Sequence, residues 1–159
     1  MEIRYAAPSD AAVISALNRT VQALHAAAHP ALFKPPSPDT FSPTEVAALM
    51  DLPGHVFLIA SVDEMPAGYL YLQVVRRPES AIRRAFDQVY INHISVDEAY
   101  QGLGVGSALM AAAVDLARAE GITHLELDVW AFNDHARVFF ERQGFTVYNQ
   151  RLWMDLGDL

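Results

Sequence analysis

The 159-residue chain contains no cysteine. That removes disulfides, thiolate metal sites and a cysteine nucleophile, and it fits a reducing cytoplasm, the location expected here. No window approaches the roughly eighteen uninterrupted apolar residues of a membrane-spanning helix, so no membrane partner is expected. The opening Met1-Glu2-Ile3-Arg4-Tyr5 lacks a basic region followed by an apolar core, and no secretory signal is expected from it. Basic charge is scarce, with 11 Lys and Arg against 19 Asp and Glu and a formal net charge of −8. This argues against nucleic-acid binding by a broad basic surface, and no nucleic-acid partner is expected. The two local basic pairs, Arg76-Arg77 and Arg83-Arg84, read as solvated loop. Internal repeats and low-complexity segments are missing too. What remains is a chain with 52% apolar residues, most simply one domain over residues 1–159 with a core of its own.

The most informative stretch is Gln101-Gly102-Leu103-Gly104-Val105-Gly106, which joins an apolar strand pattern to an apolar-periodic helix. Glycines at alternate positions let the backbone turn sharply and approach a ligand without Cβ interference. Unpaired N–H groups and the dipole at the following helix start favour an anion, so the segment suits a phosphate. A tight strand-to-helix connection chosen for geometry alone is the other reading. A P-loop fails, because Gly106-Ser107 carries no lysine. A dinucleotide fingerprint is imitated by Gly102, Gly104 and Ser107 with Asp128 as the ribose acid. Too little chain follows Asp128 for the rest of a doubly wound sheet, and it stays a weak alternative.

Periodicity and punctuation order the elements. Residues 2–6 read as a strand. Pro8-Ser9-Asp10 starts a helix with Ile14, Leu17, Val21, Leu24 and Ala28 on one face, ended by Pro30. Four prolines make 29–40 irregular, and Ser42-Pro43-Thr44-Glu45 predicts a capped helix from 43 to about 51. Residues 55–62 and 67–75 form a hairpin around 63–66, and 76–87 is a charged connection, partly helical. A buried strand at 88–96 leads into the glycine turn. Val105, Leu109, Ala112, Leu116 and Ala119 mark the next buried helix face, which Gly121 ends. Residues 122–129 return to strand, Asn133 caps a helix reaching Gln143, and 145–155 is a terminal strand. Strand-helix-strand over 88–129 implies a right-handed parallel crossover, so the fold class is α/β, a three-layer mixed sheet flanked by helices.

With these elements in place, the chain resembles the GNAT superfamily of N-acetyltransferases. Gln101, Gly104 and Gly106 match its Gln/Arg-x-x-Gly-x-Gly/Ala motif after a strand. The run from Asn133 through Ala136, Phe139 and Phe140 to Gly144-Phe145 matches its Asn-x-x-Ala-x-x-Phe-Tyr-x-x-x-Gly-Phe segment. Element order agrees along almost the whole chain, and close motif agreement covers roughly residues 88–146. The resemblance implies the acyl-CoA N-acyltransferase fold and acetyl-CoA as co-substrate, with no metal. By it, the loop 101–106 (Gln101, Gly102, Leu103, Gly104, Val105 and Gly106) and Ser107 hold the pyrophosphate. The main chain of Ile94 and Val96 pairs with the pantetheine arm, and Asn133 contacts that arm besides capping its helix. Phe140 stands where many members carry a tyrosine that protonates the leaving thiolate. Lacking a proton to give, it is expected to pack near the sulfur; another group such as Tyr148, or water, then acts as the acid, or the thiolate leaves unassisted.

The implied reaction is direct attack of an amine on the thioester carbonyl. An alkylamine is protonated at neutral pH, and freeing its lone pair costs roughly 4–5 kcal/mol, so a general base is expected. The candidates are His93, Asn92, Glu126 and Asp128. Strict strand alternation puts Asn92 and His93 on opposite faces, so at most one of them meets the acceptor. Glu126 and Asp128 share a face of the neighbouring strand. His25 and His29, four apart on a helix, have a spacing open to a metal but suggest no third ligand. They are expected to line the acceptor pocket, which also draws on the proline-rich connection and 76–87. The partner is a small-molecule or peptide amine of undisclosed identity, and a homodimer is suggested by the resemblance and the apolar terminal strands. A catalytically lapsed acyl-CoA-binding sensor is the second function class.

Overall fold

The computed structural model describes residues 1–157. The chain divides into two compact units, Met1–Asp128 and Val129–Leu159. The first holds a five-stranded sheet in the order β1-β2-β3-β4-β5. Its strands are β1 (Glu2–Tyr5), β2 (His55–Val62), β3 (Met65–Arg77), β4 (Phe86–Val96) and β5 (Leu125–Leu127). The first four pair antiparallel and β5 joins β4 in parallel, so the sheet is mixed. Three helices flank it: α1 (Ala11–Ala28), α2 (Pro43–Met50) and α3 (Val105–Ala119).

Side-chain alternation sorts the sheet into two buried faces. Phe57, Ile59, Tyr69 and Tyr71 pack with Ala11, Ile14 and Leu17 of α1 and Val46 of α2. Leu58, Leu70, Leu72, Val89 and Ile91 point the other way and are at most 4% exposed. There α3 lays down Val105, Leu109, Met110, Ala113 and Ala117, all buried. The result is three layers, with the β4–α3–β5 crossover closing one of them. The α1 side also contains buried polar groups: Ser95 Oγ donates to the carbonyl of Leu17 at 2.7 Å, tying β4 to α1.

Local signals placed most boundaries. Ser42 Oγ accepts the N–H of Glu45 at 3.3 Å to start α2, and Gly121, with φ +68, stops α3. Three expectations change. Residues 76–87 are not partly helical: β3 runs to Arg77 and β4 begins at Phe86, with Arg76 opposite Asp87. Arg76 is therefore not a loop cation. It bonds Asp87 at 2.7 Å and Glu120 at 2.8 Å, and only Arg83 and Arg84 lie in the connection between strands. The strand expected over 122–129 shrinks to Leu125–Leu127, because the exit from α3 uses Ile122, whose N–H returns to Ala117 O at 2.8 Å.

The second unit contains α4 (Asp134–Arg142). The terminal strand expected over 145–155 is not formed among the described residues. A strand exists only where a neighbour takes its hydrogen bonds, and here Val147, Leu152 and Met154 are at least 74% exposed. No helix among the described residues is long and apolar enough to cross a membrane.

Candidate active site

The glycine turn is built from the end of β4 outward. Asp97 starts a short 3-10 turn over Glu98–Tyr100, its Oδ1 accepting from Ala99 N–H at 3.0 Å. Gln101 then folds back and donates Nε2–H to the carbonyl of Val96 at 3.2 Å. Gly102 and Gly104 have φ of +78 and +82, a region that side chains with a Cβ rarely enter. A Cβ on either would meet no heavy atom within 4 Å. Crowding is thus not what demands glycine; the backbone angle is, and the space beside the turn is open. The first bond closed within α3 runs from Ala108 N–H to Gly104 O at 3.0 Å. The N–H groups of Val105 and Gly106 lie ahead of it, at the positive end of the helix, with Ser107 one residue further on. Leu103, at the tip, is 58% exposed.

Beside the turn, β4 presents a half-used edge. It pairs with β3 as far as Val96 but with β5 only at Val89, Tyr90 and Ile91. The N–H of Asp97 bonds Ala67 O on the β3 side at 2.9 Å. Alternation therefore turns the amides of Ile94 and Val96 to the opposite edge, where β5 offers no partner. That leaves a strand-like edge, without a pairing strand among the described residues, which leads directly to the glycine turn.

The face of the sheet that meets α1 and α2 carries the titratable groups. Tyr71 pairs with His93 and Leu72 with Ile91, so Asn92 is an extra residue, a β-bulge. The bulge overturns the expectation from strict alternation. His93 shares the face of Tyr71, and one step from Ile91 carries Asn92 to that face as well. Asn92 Nδ2 is buried with no hydrogen-bond partner among the described residues. Tyr90 is in register with Glu126 and donates its hydroxyl to Asp128 Oδ2 at 2.9 Å. Both carboxylates therefore stand on the His93 face, where β4 and β5 part.

His93 is enclosed by aromatic rings, with centroids of Phe41 at 4.9 Å and Tyr71 at 5.6 Å, both edge-on. Its Nδ1 lies 3.2 Å from the hydroxyl of Tyr69. Burial, with a smaller effect from nearby His25, pushes its pKa down to about 4. His25 sits in α1 with Nδ1 2.7 Å from the carbonyl of Val21 and its ring 5.0 Å from Phe33. His29 is no longer on the same regular helix face. It is the C-cap, with φ −136 and ψ 71, and its N–H closes on His25 O. The chain around His93 also includes residues that sequence reasoning passed over. Asn18 Nδ2 donates to Tyr69 at 2.7 Å, and Tyr71 and Gln73 lie 2.7 Å from the two ring nitrogens of His55. The alternation of Tyr69, Tyr71 and Gln73 was the available signal, but their partners lie far away in sequence.

In the second unit, Asn133 caps α4, its Oδ1 accepting from Ala136 N–H at 3.0 Å. Phe140 is 7% exposed and packs edge-on to Phe139 and Phe145, with centroids at 5.1 and 5.7 Å. Tyr148, named above as a substitute acid, is 80% exposed. Among the described residues no cluster of three or more His, Asp or Glu could hold a metal ion.

Comparison with known proteins bears on the family and the fold. A model of the acetyltransferase (GNAT) family matches residues 19–145. Over 62 residues the chain is 40% identical to a mycothiol acetyltransferase of Beutenbergia cavernae; the match covers 39% of this chain and only 20% of that enzyme. A tetramutant of the BH1408 protein from Bacillus halodurans superposes with a TM-score of 0.93 at 25% identity, covering 98% of this chain and all of that one. The aminoglycoside N-acetyltransferase AAC(6′)-Iy, solved in complex with CoA, shares the fold with a TM-score of 0.76 at 15% identity, over 99% of this chain and 95% of that one.

Proposed function

The chain belongs to the GNAT acetyltransferase family, and from that premise we propose that it transfers the acetyl group of acetyl-CoA to a primary amine by direct attack. The observation that carries this reading is the open glycine turn set against the unpaired edge of β4. Gly102 and Gly104 turn with positive φ beside open space, which suits a diphosphate held by main-chain N–H groups of the 101–107 segment, chiefly those from Gly104 onward. The N–H groups of Gln101 and Leu103 already bond Glu98 O and Tyr100 O at 3.4 Å. Each charge-assisted bond of this kind contributes about 1.5–3 kcal/mol, so a few suffice for an anionic ligand on an acidic protein. Ile94 and Val96 pair with the pantetheine arm; in the second unit, Asn133 and Phe140 are assigned cofactor contacts by family resemblance alone. The bound co-substrate supplies an activated acyl group as its thioester.

The other roles fall to the α1-side face. Glu126 and Asp128 are its anionic groups near the parting of β4 and β5. They attract an alkylammonium and take its proton, directly or through water. Asn92 Nδ2, without a hydrogen-bond partner among the described residues, is a donor suited to a substrate oxygen. His93 borders the same face, and His25 and His29 line the acceptor side. Phe140 has no proton to give, so the thiolate departs without help from that position. The acceptor is an amine on a small molecule or peptide. Homodimerisation is part of the same reading, drawn from family resemblance.

Calorimetry with CoA and acetyl-CoA, followed by thiol release over a panel of amines, tests the proposal. Binding with turnover on at least one amine is the expected result. No affinity for either form would overturn it, and tight binding with no turnover would make the protein an acyl-CoA sensor instead.

A further inference from the structure

A hydrogen-bond chain runs behind His93 and has a direction. Tyr69 is 0% exposed, and its hydroxyl has partners on two sides. From α1, the buried Asn18 donates Nδ2–H to the phenol oxygen at 2.7 Å. On β4, His93 Nδ1 lies 3.2 Å from the same oxygen. An amide NH2 only donates, and a phenol owns a single hydrogen. With Asn18 donating, the one phenol hydrogen is left for His93 Nδ1, the other partner of this oxygen. A ring nitrogen that accepts carries no proton, so the neutral imidazole keeps its proton on Nε2.

We propose that Asn18 and Tyr69 are positioning residues that lock His93 in its Nε2–H form, so that the imidazole donates a hydrogen bond to an oxygen of the bound substrates and does not take the proton of the amine. The last part rests on the acetyl-transfer reading above; the lock itself does not. Two further features suit the lock. The edge-on rings of Phe41 and Tyr71 restrict rotation of the imidazole. Burial holds the group neutral at working pH, with its pKa at about 4, and only a neutral imidazole has a tautomer to choose. Nδ1 is turned inward to a wholly buried phenol, which leaves Nε2 as the nitrogen facing away from it.

Nitrogen-15 NMR of the free wild-type protein at pH 8 tests the lock without any substrate. The expected spectrum has His93 Nδ1 in the unprotonated range and Nε2 in the protonated range. A protonated Nδ1 overturns the proposal. Asn18→Asp places an acceptor opposite the phenol hydrogen, so Tyr69 then accepts from His93, and the protonated nitrogen should change from Nε2 to Nδ1; an unchanged tautomer overturns the proposal as well. For the donor role, His93→Gln keeps an N–H and should retain turnover within about tenfold, while His93→Ala should lose about a hundredfold. Equal losses would mean that proton abstraction, not donation, was removed. If wild-type protein turns over no amine at all, the acetyl-transfer reading fails while the spectra still decide the lock.

Discussion

Protonating His93 puts a charge among Phe41, Tyr69 and Tyr71, and its pKa is accordingly pushed down to about 4 by burial, with His25 adding to the effect. The unfolded chain takes up that proton near pH 6.5. The unfolded state therefore gains protons first as pH falls, and stability drains away between about pH 6.5 and 4, by about 3 kcal/mol. Asp10 acts in the next window down. Arg4 grips its carboxylate with two bonds of 2.7 and 2.8 Å, and its pKa falls from 3.8 to about 2, with that hydrogen bonding the largest cause. Its stabilising contribution is present above pH 3.8 and is lost as pH falls towards 2. Solvent screening leaves it about 1 kcal/mol. Urea unfolding from pH 7 to about 2 should show both stages. His93→Asn should flatten the upper window and Arg4→Met the lower; the same profile in all three proteins would refute the assignment.

At the scale of elements, two glycines show why position matters more than residue type. Gly68 lies in β3, where a Cβ would come within 2.7 Å of the carbonyl of Ser95. That backbone is locked into the β4 ladder, and Gly68→Ala should destabilise the fold by about 1–3 kcal/mol. At Gly104 the same substitution meets open space and bears only the strain of φ +82, about 1–2 kcal/mol. Relaxing that strain moves the amides at the head of α3. Gly104→Ala is therefore expected to melt within a few degrees of wild type and to bind CoA at least tenfold more weakly. Equal binding by calorimetry would remove the turn from the site. Features of this local kind were legible in the sequence: the Ser42 and Asn133 caps, the stop at Gly121 and the turn itself depend only on neighbours along the chain. What escaped depends on partners far away. The bulge at Asn92 exists only against Tyr71 and Leu72 of β3, so alternation within β4 misassigned its faces. The same holds for the Asn18–Tyr69–His93 chain, whose members come from three elements, and for the terminal strand, whose apolar residues looked like a strand without a neighbour to make one.

For the molecule as a whole, the acidic balance constrains how an anion can be held. The chain carries a formal net charge of −8, and residues 97–107 contain Asp97 and Glu98 but no Lys or Arg. A site that binds phosphates through lysines and arginines weakens as salt screens those attractions. Here the proposed donors are main-chain N–H groups at close range, which salt screens little, while the long-range field of the protein repels the ligand. Raising ionic strength from 0.01 M to 0.15 M shortens the screening length from about 30 Å to about 8 Å and removes mainly the repulsion. The association rate of acetyl-CoA should therefore hold or rise over this range, with the dissociation rate nearly constant. Stopped-flow measurement at the two salt concentrations would read both constants directly. A fall of tenfold in the association rate would instead require a basic side chain at the diphosphate, and the glycine turn would then be only a connection between β4 and α3.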